Sequence, residues 1–515
     1  MIEANRVAKN TAILYARMAI TMFISLYATR LILAALGASD FGIFNLVAGA
    51  IVMLTFLNNA MAAATQRFMS FAQGEGNEGK QKSIFNVSVV LHFFIGLFIV
   101  VLLELAGYFL FKSILNIDAE RMDVAKLIYH FLVVSMFVNV ISVPYDAVIN
   151  AHENMLFVAI LGILEAILKL SIALYVTYTG FDKLVSYGFL MAALAILLLL
   201  IRRIYCHNKY IEVQINIRKY YDKNLFKEMT AFGSWSLMGS IAGLVSSYGQ
   251  GIVINIFFGT IINAAQGVAN QISGQLGAFS STMQKALGPV IAKSEGAGKR
   301  ELMIKASVTG SKFSYFLLAF FVIPVFIEMP YILNLWLKEV PEYTIVFCRL
   351  LLIINLIDQM FTTLPSAIGA TGNIKDYQKV VSILALLPLF ISYILFTIGY
   401  PPQTLYFVFI GQRIIRSFGP ILYFTKKLCG LSPIYFLKEV VFRSFAITIG
   451  VALMSLLPFL IFDIGMIRLG STLLVSSLSF IVSVKWFGLS VEEEAQIGSI
   501  FKSIINRLLP TSKQK

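Results

Sequence analysis

Arginines inside long apolar segments are the residues of this sequence best suited to bind another molecule. Five positions have this character: Arg17, Arg30, Arg349, Arg413 and Arg416. On insertion scales a charged side chain at the centre of an apolar helix costs about 2.5–3.5 kcal/mol, so these side chains are expected to face a hydrated interior. A guanidinium donates two parallel hydrogen bonds to a phosphate, and a cavity rich in arginine and poor in acids would therefore take an anionic ligand.

Each of these arginines also has a simpler explanation. A long basic side chain in an apolar helix can reach the headgroup region or donate to backbone carbonyls without touching a ligand. The sequence leaves packing and ligand binding equally open for any single arginine.

Three further ionisable residues inside apolar segments are candidates for an internal ion pair or for coupling to an ion: Glu165, Lys169 and Asp358. Glu165 and Lys169 are four residues apart, so a helix stacks them on one face, where they neutralise each other. The pair either makes two charges tolerable inside a helix bundle or faces a water-filled cavity. The spacing fits both interpretations equally.

Residues 74–80 imitate a nucleotide-binding loop. The run Gly-Glu-Gly-Asn-Glu-Gly-Lys has the glycines and the lysine of that motif, but Gln81 replaces the Ser or Thr that would hold magnesium. The glutamates would repel a nucleotide, and no predicted strand precedes the run. We therefore expect no ATP binding here.

The other reactive residue types give no sign of an enzyme. The histidines and cysteines lack the spacing of a metal site, a disulfide framework or a catalytic triad. They are His92, His130, His152, His207, Cys206, Cys348 and Cys429. We expect no enzymatic activity, no metal and no cofactor.

The composition indicates the class of protein that must position these residues. Of the 515 residues, 58% are hydrophobic and 13% are charged, and the mean hydropathy is +0.82. These values exclude a soluble globular protein and predict an all-α polytopic membrane protein. Apolar segments long enough to cross the hydrocarbon predict about 14 transmembrane helices. They lie near residues 11–36, 43–66, 84–111, 124–148, 156–178, 184–206, 233–258, 262–290, 304–327, 343–368, 377–399, 404–425, 440–462 and 466–489.

Lysines and arginines are concentrated on one side of the predicted spans. With the N-terminus inside, the inner segments contain most of these cations, as cytoplasmic loops do. Both termini are therefore expected to be cytoplasmic. The net charge of +14 follows from this asymmetry and would attract anionic lipid headgroups; it does not indicate nucleic-acid binding. The first apolar segment is too long for a cleavable signal peptide.

The chain contains an internal repeat at a separation of 222 residues. An ungapped alignment pairs Gly37 with Gly259, Leu54 with Leu276, Met61 with Met283, Gly74 with Gly296 and Gly76 with Gly298. Because six predicted spans separate the copies, both start on the same side of the membrane and are related by a pseudo-two-fold axis along its normal. Arg30 aligns with Ile252, so the copies share a scaffold but not a charge pattern.

The repeat predicts two six-helix lobes at residues 1–206 and 233–427. Residues 207–232 form the longest polar stretch and are expected to be a cytoplasmic amphipathic linker. Residues 428–515 add a helical hairpin and a cytoplasmic tail. In the first copy, a tight turn at residues 37–42 is expected to end the first helix, and residues 67–80 are expected to form a soluble loop.

Several motifs resemble the polysaccharide flippases of the multidrug/oligosaccharidyl-lipid/polysaccharide exporter superfamily. They are residues 28–44, the basic loop with Gly74-x-Gly76, residues 334–338 before Pro341, and residues 367–375. The likeness spans nearly the entire chain. It implies two six-helix lobes around a central cavity, alternating access and two extra C-terminal helices. Many relatives carry a basic residue in the first helix at the place that Arg30 occupies.

The resemblance also implies a function and a location. It implies a bacterial inner-membrane protein that moves undecaprenyl-diphosphate-linked oligosaccharides outward, with H⁺ or Na⁺ as the candidate coupling ion; we expect a monomer in contact with membrane lipids. A cation-coupled multidrug exporter of the same superfamily is the alternative. An exporter of cationic drugs should line its cavity with acids, whereas this sequence supplies mostly arginines, which favours the flippase.

Overall fold

The computed structural model is helical wherever it shows regular structure. It describes residues 2–52, 54–114, 117–337, 339–495 and 498, and within these ranges it contains no strand. The prediction of an all-α protein is confirmed. Lys338 of the resemblance motif and the predicted cytoplasmic tail after residue 498 lie outside the described residues.

The first of two compact units comprises Ala12–Ile241 and Ala292–Lys299. Buried aliphatic residues such as Val47, Ile99 and Leu103 form part of its core. The helices that lie wholly or mainly in this unit are α1 (Ile2–Val52), α2 (Thr55–Glu75), α3 (Glu78–Phe109), α4 (Ala119–Ala151), α5 (Met155–Tyr178), α6 (Lys183–Lys209) and α7 (Ile217–Tyr220).

The second compact unit comprises Met1–Thr11, Ala242–Ile291 and, as far as it is described, Arg300–Lys515. Leu318 and Phe347 lie in its core. Its helices are α8 (Lys223–Gly296), which begins and ends in the first unit, α9 (Arg300–Ile327), α10 (Met329–Trp336), α11 (Thr344–Met360), α12 (Leu364–Ala370), α13 (Lys375–Thr397), α14 (Thr404–Arg416), α15 (Leu422–Cys429), α16 (Pro433–Phe436), α17 (Arg443–Ile461) and α18 (Met466–Ser483). Short π-helical turns follow α3, α14, α16 and α18.

The repeat is visible in the backbone. Gly37 interrupts α1 with φ 76° and ψ 170°, and Gly259 interrupts α8 with φ 76° and ψ −168°. Gly76 and Gly298 have φ of 69° and 70°. These are left-handed conformations that favour glycine. The predicted turn at residues 37–42 is therefore wrong in extent, because the helix resumes directly after Gly37.

The predicted soluble loop at residues 67–80 is wrong except at Gly76 and Asn77, because α2 continues to Glu75 and α3 begins at Glu78. The guanidinium of Arg67 lies 4.7 Å from the ring centroids of both Phe68 and Phe71. The side-chain amide of Gln81 donates to a backbone carbonyl of α2 at 3.2 Å. These contacts stabilise helical turns in a stretch whose polar composition favours a loop.

The multi-pass character is supported by eleven candidate spans among the described helices, judged by length and composition. The predicted number of about 14 is not confirmed. Lys223–Ala278 counts as one candidate although it covers all of the predicted span 233–258 and part of the span 262–290. The predicted spans 43–66 and 404–425 fall outside the eleven, and both contain polar or charged residues, such as Asn58 and Arg413.

The C-terminal helices α17 and α18 pack against each other and against α9. Arg468 of α18 donates to both carboxylate oxygens of Glu328, which directly follows α9, and Thr472 donates to the same carboxylate at 2.9 Å. Both charged residues are buried. A buried ion pair therefore joins the C-terminal helices to the rest of their unit.

Within the predicted linker, the described backbone is helical only at its ends and in the four residues of α7. Asn86 of α3 pairs with the linker backbone through Asn216 N–H at 2.9 Å and the Gln214 carbonyl at 2.8 Å. His152 pairs with Glu212 at 2.5 Å. The linker is thus held to the first unit by specific polar contacts, whereas the lobe boundaries stay a prediction.

Candidate functional site

Three of the candidate residues meet in the second unit, where α11 packs against α14. Asp358 lies in the last turn of α11, and Arg413 and Arg416 lie three residues apart on one face of α14. Arg416 Nη2 donates to Asp358 Oδ1 at 2.6 Å, and Arg413 Nε lies 3.4 Å from Asp358 Oδ2. Two guanidinium groups therefore share one carboxylate, which leaves the cluster with a net positive charge.

The local sequence explains the position of Arg416. Pro420 has no N–H, so the carbonyl of Arg416 cannot receive the usual hydrogen bond from the residue four positions later. The helix widens into a π-helical turn over Ser417–Ile421 before α15 begins. Such single turns are frequent at functional sites, because they re-aim the side chains beside them.

Two buried donors of this cluster, Arg413 Nε and Arg416 Nε, make no hydrogen bond with the described residues. Arg413 Nε contacts Asp358 only as an ion pair. A buried donor without an acceptor is costly, so such groups usually meet water or a ligand. An anion with several oxygens would satisfy these donors and balance the net charge.

Arg349 has a different environment. Its Nε donates to the carbonyl of Phe326 at 3.0 Å, its Nη2 donates to that of Ile327 at 3.3 Å, and its guanidinium lies 5.3 Å from the Phe326 ring centroid. These carbonyls end α9 and lack helical partners, so a cation is favourable there. The contacts match the packing explanation, and substrate binding by Arg349 stays an untested prediction.

A second group of charges lies in the first unit. Lys169 Nζ donates to Glu165 Oε1 at 2.7 Å, as the helical spacing predicts, and each side chain is about one-third exposed. Arg17 crosses α5 at Gly162, where a Cβ would come within 2.2 Å of the guanidinium. Glycine at this position therefore makes room for the arginine. Arg30 is exposed and makes no hydrogen bond or ion pair with the described part of the chain.

The sequence interpretation missed an acidic residue of this group. Asp146 of α4 lies 2.8 Å from Arg202 Nε of α6, and Arg17 and Glu165 are close enough to act on it electrostatically. Asp146 lies two residues after Pro144 near the end of one predicted span, and Arg202 lies near the end of another. A carboxylate inside an apolar segment is itself the signal that could have identified it.

No family model matches the chain, and no curated protein matches it in sequence. Solved structures do match. A structure of MATE in the bent conformation aligns with this chain with a TM-score of 0.71 and 14% sequence identity. The alignment covers 82% of this chain and 95% of the MATE chain. An outward-facing multidrug resistance MATE family transporter of the MOP superfamily gives 0.69 at 14% identity, covering 82% and 96%.

A MOP superfamily transporter from Pyrococcus furiosus Vc1 (DSM3638) matches with a TM-score of 0.66 at 15% identity, covering 83% of this chain and 97% of its own. The polarity of its binding pocket is described as reversed, which suggests a different function for that protein. At identities this low the likeness establishes the fold alone.

Proposed function

We propose that this chain, which has the fold of the MATE transporters, is a flippase. It moves an undecaprenyl-diphosphate-linked oligosaccharide outward across a bacterial inner membrane by alternating access. The observation that carries this proposal is the cluster of Arg413, Arg416 and Asp358, which has a net positive charge and guanidinium donors without acceptors. A diphosphate has the charge and the oxygens that such donors require.

The candidate residues have distinct roles in this proposal. Arg413 and Arg416 receive the diphosphate, and Asp358 holds Arg416 in place when the site is empty. Arg17 and Arg30 remain substrate-binding candidates, and Arg30 is available because it has no partner within the described chain. Glu165 and Lys169 are candidates for coupling to H⁺ or Na⁺.

A cation-coupled multidrug exporter is the second candidate, because one solved structure of this fold is a multidrug resistance transporter. The net charge of the cluster of Arg413, Arg416 and Asp358 distinguishes the flippase from the exporter. A cationic drug would need acids that face it, whereas here two arginines share a single carboxylate. The reversed pocket polarity of one solved neighbour supports using pocket charge to distinguish functions within this fold.

The test is transport of a lipid-linked sugar diphosphate in vesicles that contain the purified protein. Arg30→Gln, Arg413→Gln and Arg416→Gln are expected to insert normally but to transport less. Lysine at positions 413 and 416 should restore transport only in part, because it keeps the charge and loses the planar fork. Lys299→Gln, which removes an exposed cation between α8 and α9, is the control. Normal transport by all three glutamine variants at normal abundance would show that the cationic site is wrong. Efflux of a cationic drug without sugar transport would favour the exporter.

A further inference from the structure

An open groove of about 460 Å³ lies between the start of α5 and the end of α6, in the first unit. Its lining residues are Phe157, Ile201, Ile204, Tyr205, Asn208 and Lys209. None of them belongs to the charged clusters described above. By the predicted orientation these two helix ends lie on the cytoplasmic side of the membrane, and the groove is open at the protein surface.

Ring stacking and a hydrogen bond hold the apolar part of the groove in place. The rings of Phe157 and Tyr205 stack at 3.7 Å with an interplanar angle of 10°, and Asn154 donates to the Tyr205 hydroxyl at 2.6 Å. Ile204, by contrast, leaves 61% of its surface exposed. A fixed apolar wall beside an exposed aliphatic side chain suits a flexible hydrocarbon chain.

The rim of the groove is cationic. Lys209 Nζ donates to the Tyr205 hydroxyl at 2.7 Å and lies over the rings of Tyr205 and Tyr210, at 5.1 and 5.9 Å from their centroids. An ammonium has three donors, so this contact holds the lysine in position and leaves donors for a ligand. The exposed amide of Asn208 makes no hydrogen bond within the described chain.

Further basic residues come shortly after the lining residues of the groove in the sequence. Arg218, Lys219 and Lys223 are exposed in the linker, which also exposes Ile211 and Ile215. Basic and aliphatic side chains together match the inner surface of a membrane that contains anionic lipids. The charge around the groove therefore selects an anionic occupant rather than a zwitterionic one.

We propose that this groove binds a phospholipid with an anionic headgroup. One acyl chain lies against Phe157, Ile201 and Ile204, and the phosphate lies between Lys209 and Asn208. The bound lipid steadies the junction between α6 and the linker. This proposal does not depend on the substrate of the transporter.

The test uses the full-length protein in nanodiscs that contain phosphatidylglycerol and phosphatidylcholine with the same acyl chains. After transfer to detergent, the lipids retained per protein are counted by native mass spectrometry. Wild type is expected to retain phosphatidylglycerol preferentially. Lys209→Gln should lower that preference by about fivefold, the effect of one basic residue near an anionic surface. Ile204→Ser should lower the retention of both lipids.

The matched control is Lys112→Gln. Lys112 Nζ donates to the hydroxyl of Tyr108 four residues earlier, at 3.1 Å, and lies 5.2 Å from that ring. It repeats the local geometry of Lys209 outside the groove, so its substitution should leave lipid retention unchanged. Equal retention of the two lipids by wild type, or an equal loss in both lysine variants, would overturn the proposal. So would displacement of phosphatidylglycerol by an added polyprenyl phosphate, because the groove would then take the cargo lipid.

Discussion

Gly74 and Gly296 hold the same place in the two copies of the repeat and make reciprocal contacts. A Cβ on Gly74 would come within 2.0 Å of the carbonyl oxygen of Lys293, and a Cβ on Gly296 would come within 2.0 Å of that of Phe71. Phe71 and Lys293 are also 222 positions apart. Both sides of the contact lie in the first unit. Only glycine allows this approach of backbone to backbone.

We expect Gly74→Ala and Gly296→Ala each to lower the thermal stability of the purified protein and its transport rate. The added methyl group meets a carbonyl, which cannot swing away as a side chain can, so the two segments must separate. The control is Gly79→Ala in the same region, where a Cβ meets only the Asn77 side chain at 3.4 Å. Gly79 is helical and exposed, so alanine there should be neutral or slightly stabilising. Equal behaviour of all three variants would contradict the reciprocal contact.

The Glu165–Lys169 pair can be measured with a double-mutant cycle. Each single substitution to alanine should damage stability or transport more than the double substitution does, because it leaves one charge without its partner. Both side chains are about one-third exposed, so water screens the pair and the expected coupling is about 0.5–1 kcal/mol. Additive losses in thermal unfolding would show that the two residues do not interact.

Substitutions in the pair of Arg468 and Glu328 should lower the stability far more than substitutions in the Glu165–Lys169 pair. Their side chains are 6% and 0% exposed, and removing one partner of a buried pair typically costs about 3–5 kcal/mol. We expect Arg468→Met to unfold at a much lower temperature, and Arg468→Met with Glu328→Gln to recover part of the loss. Lys305→Gln, which breaks an exposed pair with Glu492, should have no measurable effect. A small loss in Arg468→Met would mean that the pair does not anchor the C-terminal hairpin.

Asp182, in the loop before α6, should make stability depend on pH. Burial raises its pKa, but hydrogen bonds from the Val185 N–H and the Arg121 guanidinium outweigh this effect, so the pKa lies below its ordinary value of 3.8. Because the pKa of Asp182 is depressed in the folded protein, the stability that its charged carboxylate contributes is fully present above pH 3.8. This contribution is lost as the pH falls through the lower, folded-state pKa.

Asp182→Asn keeps the helix cap but removes the charge pair with Arg121. The partners are about one-third exposed, so the loss at neutral pH should be at most about 1 kcal/mol and should disappear in strong acid. Thermal unfolding in detergent across pH measures this difference. Asp123→Asn, at an almost fully exposed carboxylate, is the control. If the stability difference between Asp182→Asn and wild type does not vary with pH, the charge pair is not the cause of that difference.

The features of the fold that the sequence predicts correctly follow from patterns of hydropathy, residue spacing and repetition along the chain. The apolar segments and their helical form follow from hydropathy, because a chain in lipid must satisfy its backbone within each segment. The contact of Glu165 with Lys169 followed from helical spacing alone. The repeat alignment pairs Gly37 with Gly259, and the two residues have matching left-handed backbones.

Predictions that depended on loops were less successful. The polar composition of residues 67–80 predicts a solvent-exposed loop, yet Arg67 stacks on two phenylalanine rings and α2 continues to Glu75. Arg202, near the end of a predicted span, pairs with Asp146 of another helix. Composition cannot separate a polar residue in water from one that is satisfied by distant protein groups.

The sequence by itself determined the class of protein, the helices and the presence of arginines inside them, since each depends on neighbouring residues. Only the tertiary structure decided which arginines share a carboxylate and which pack against backbone. Asp358 and Arg416 are 58 residues apart, and Arg349 reaches carbonyls 22 and 23 positions earlier. Their pairing depends on which helix faces meet, and the free energy of that packing is spread over side chains far apart in the chain.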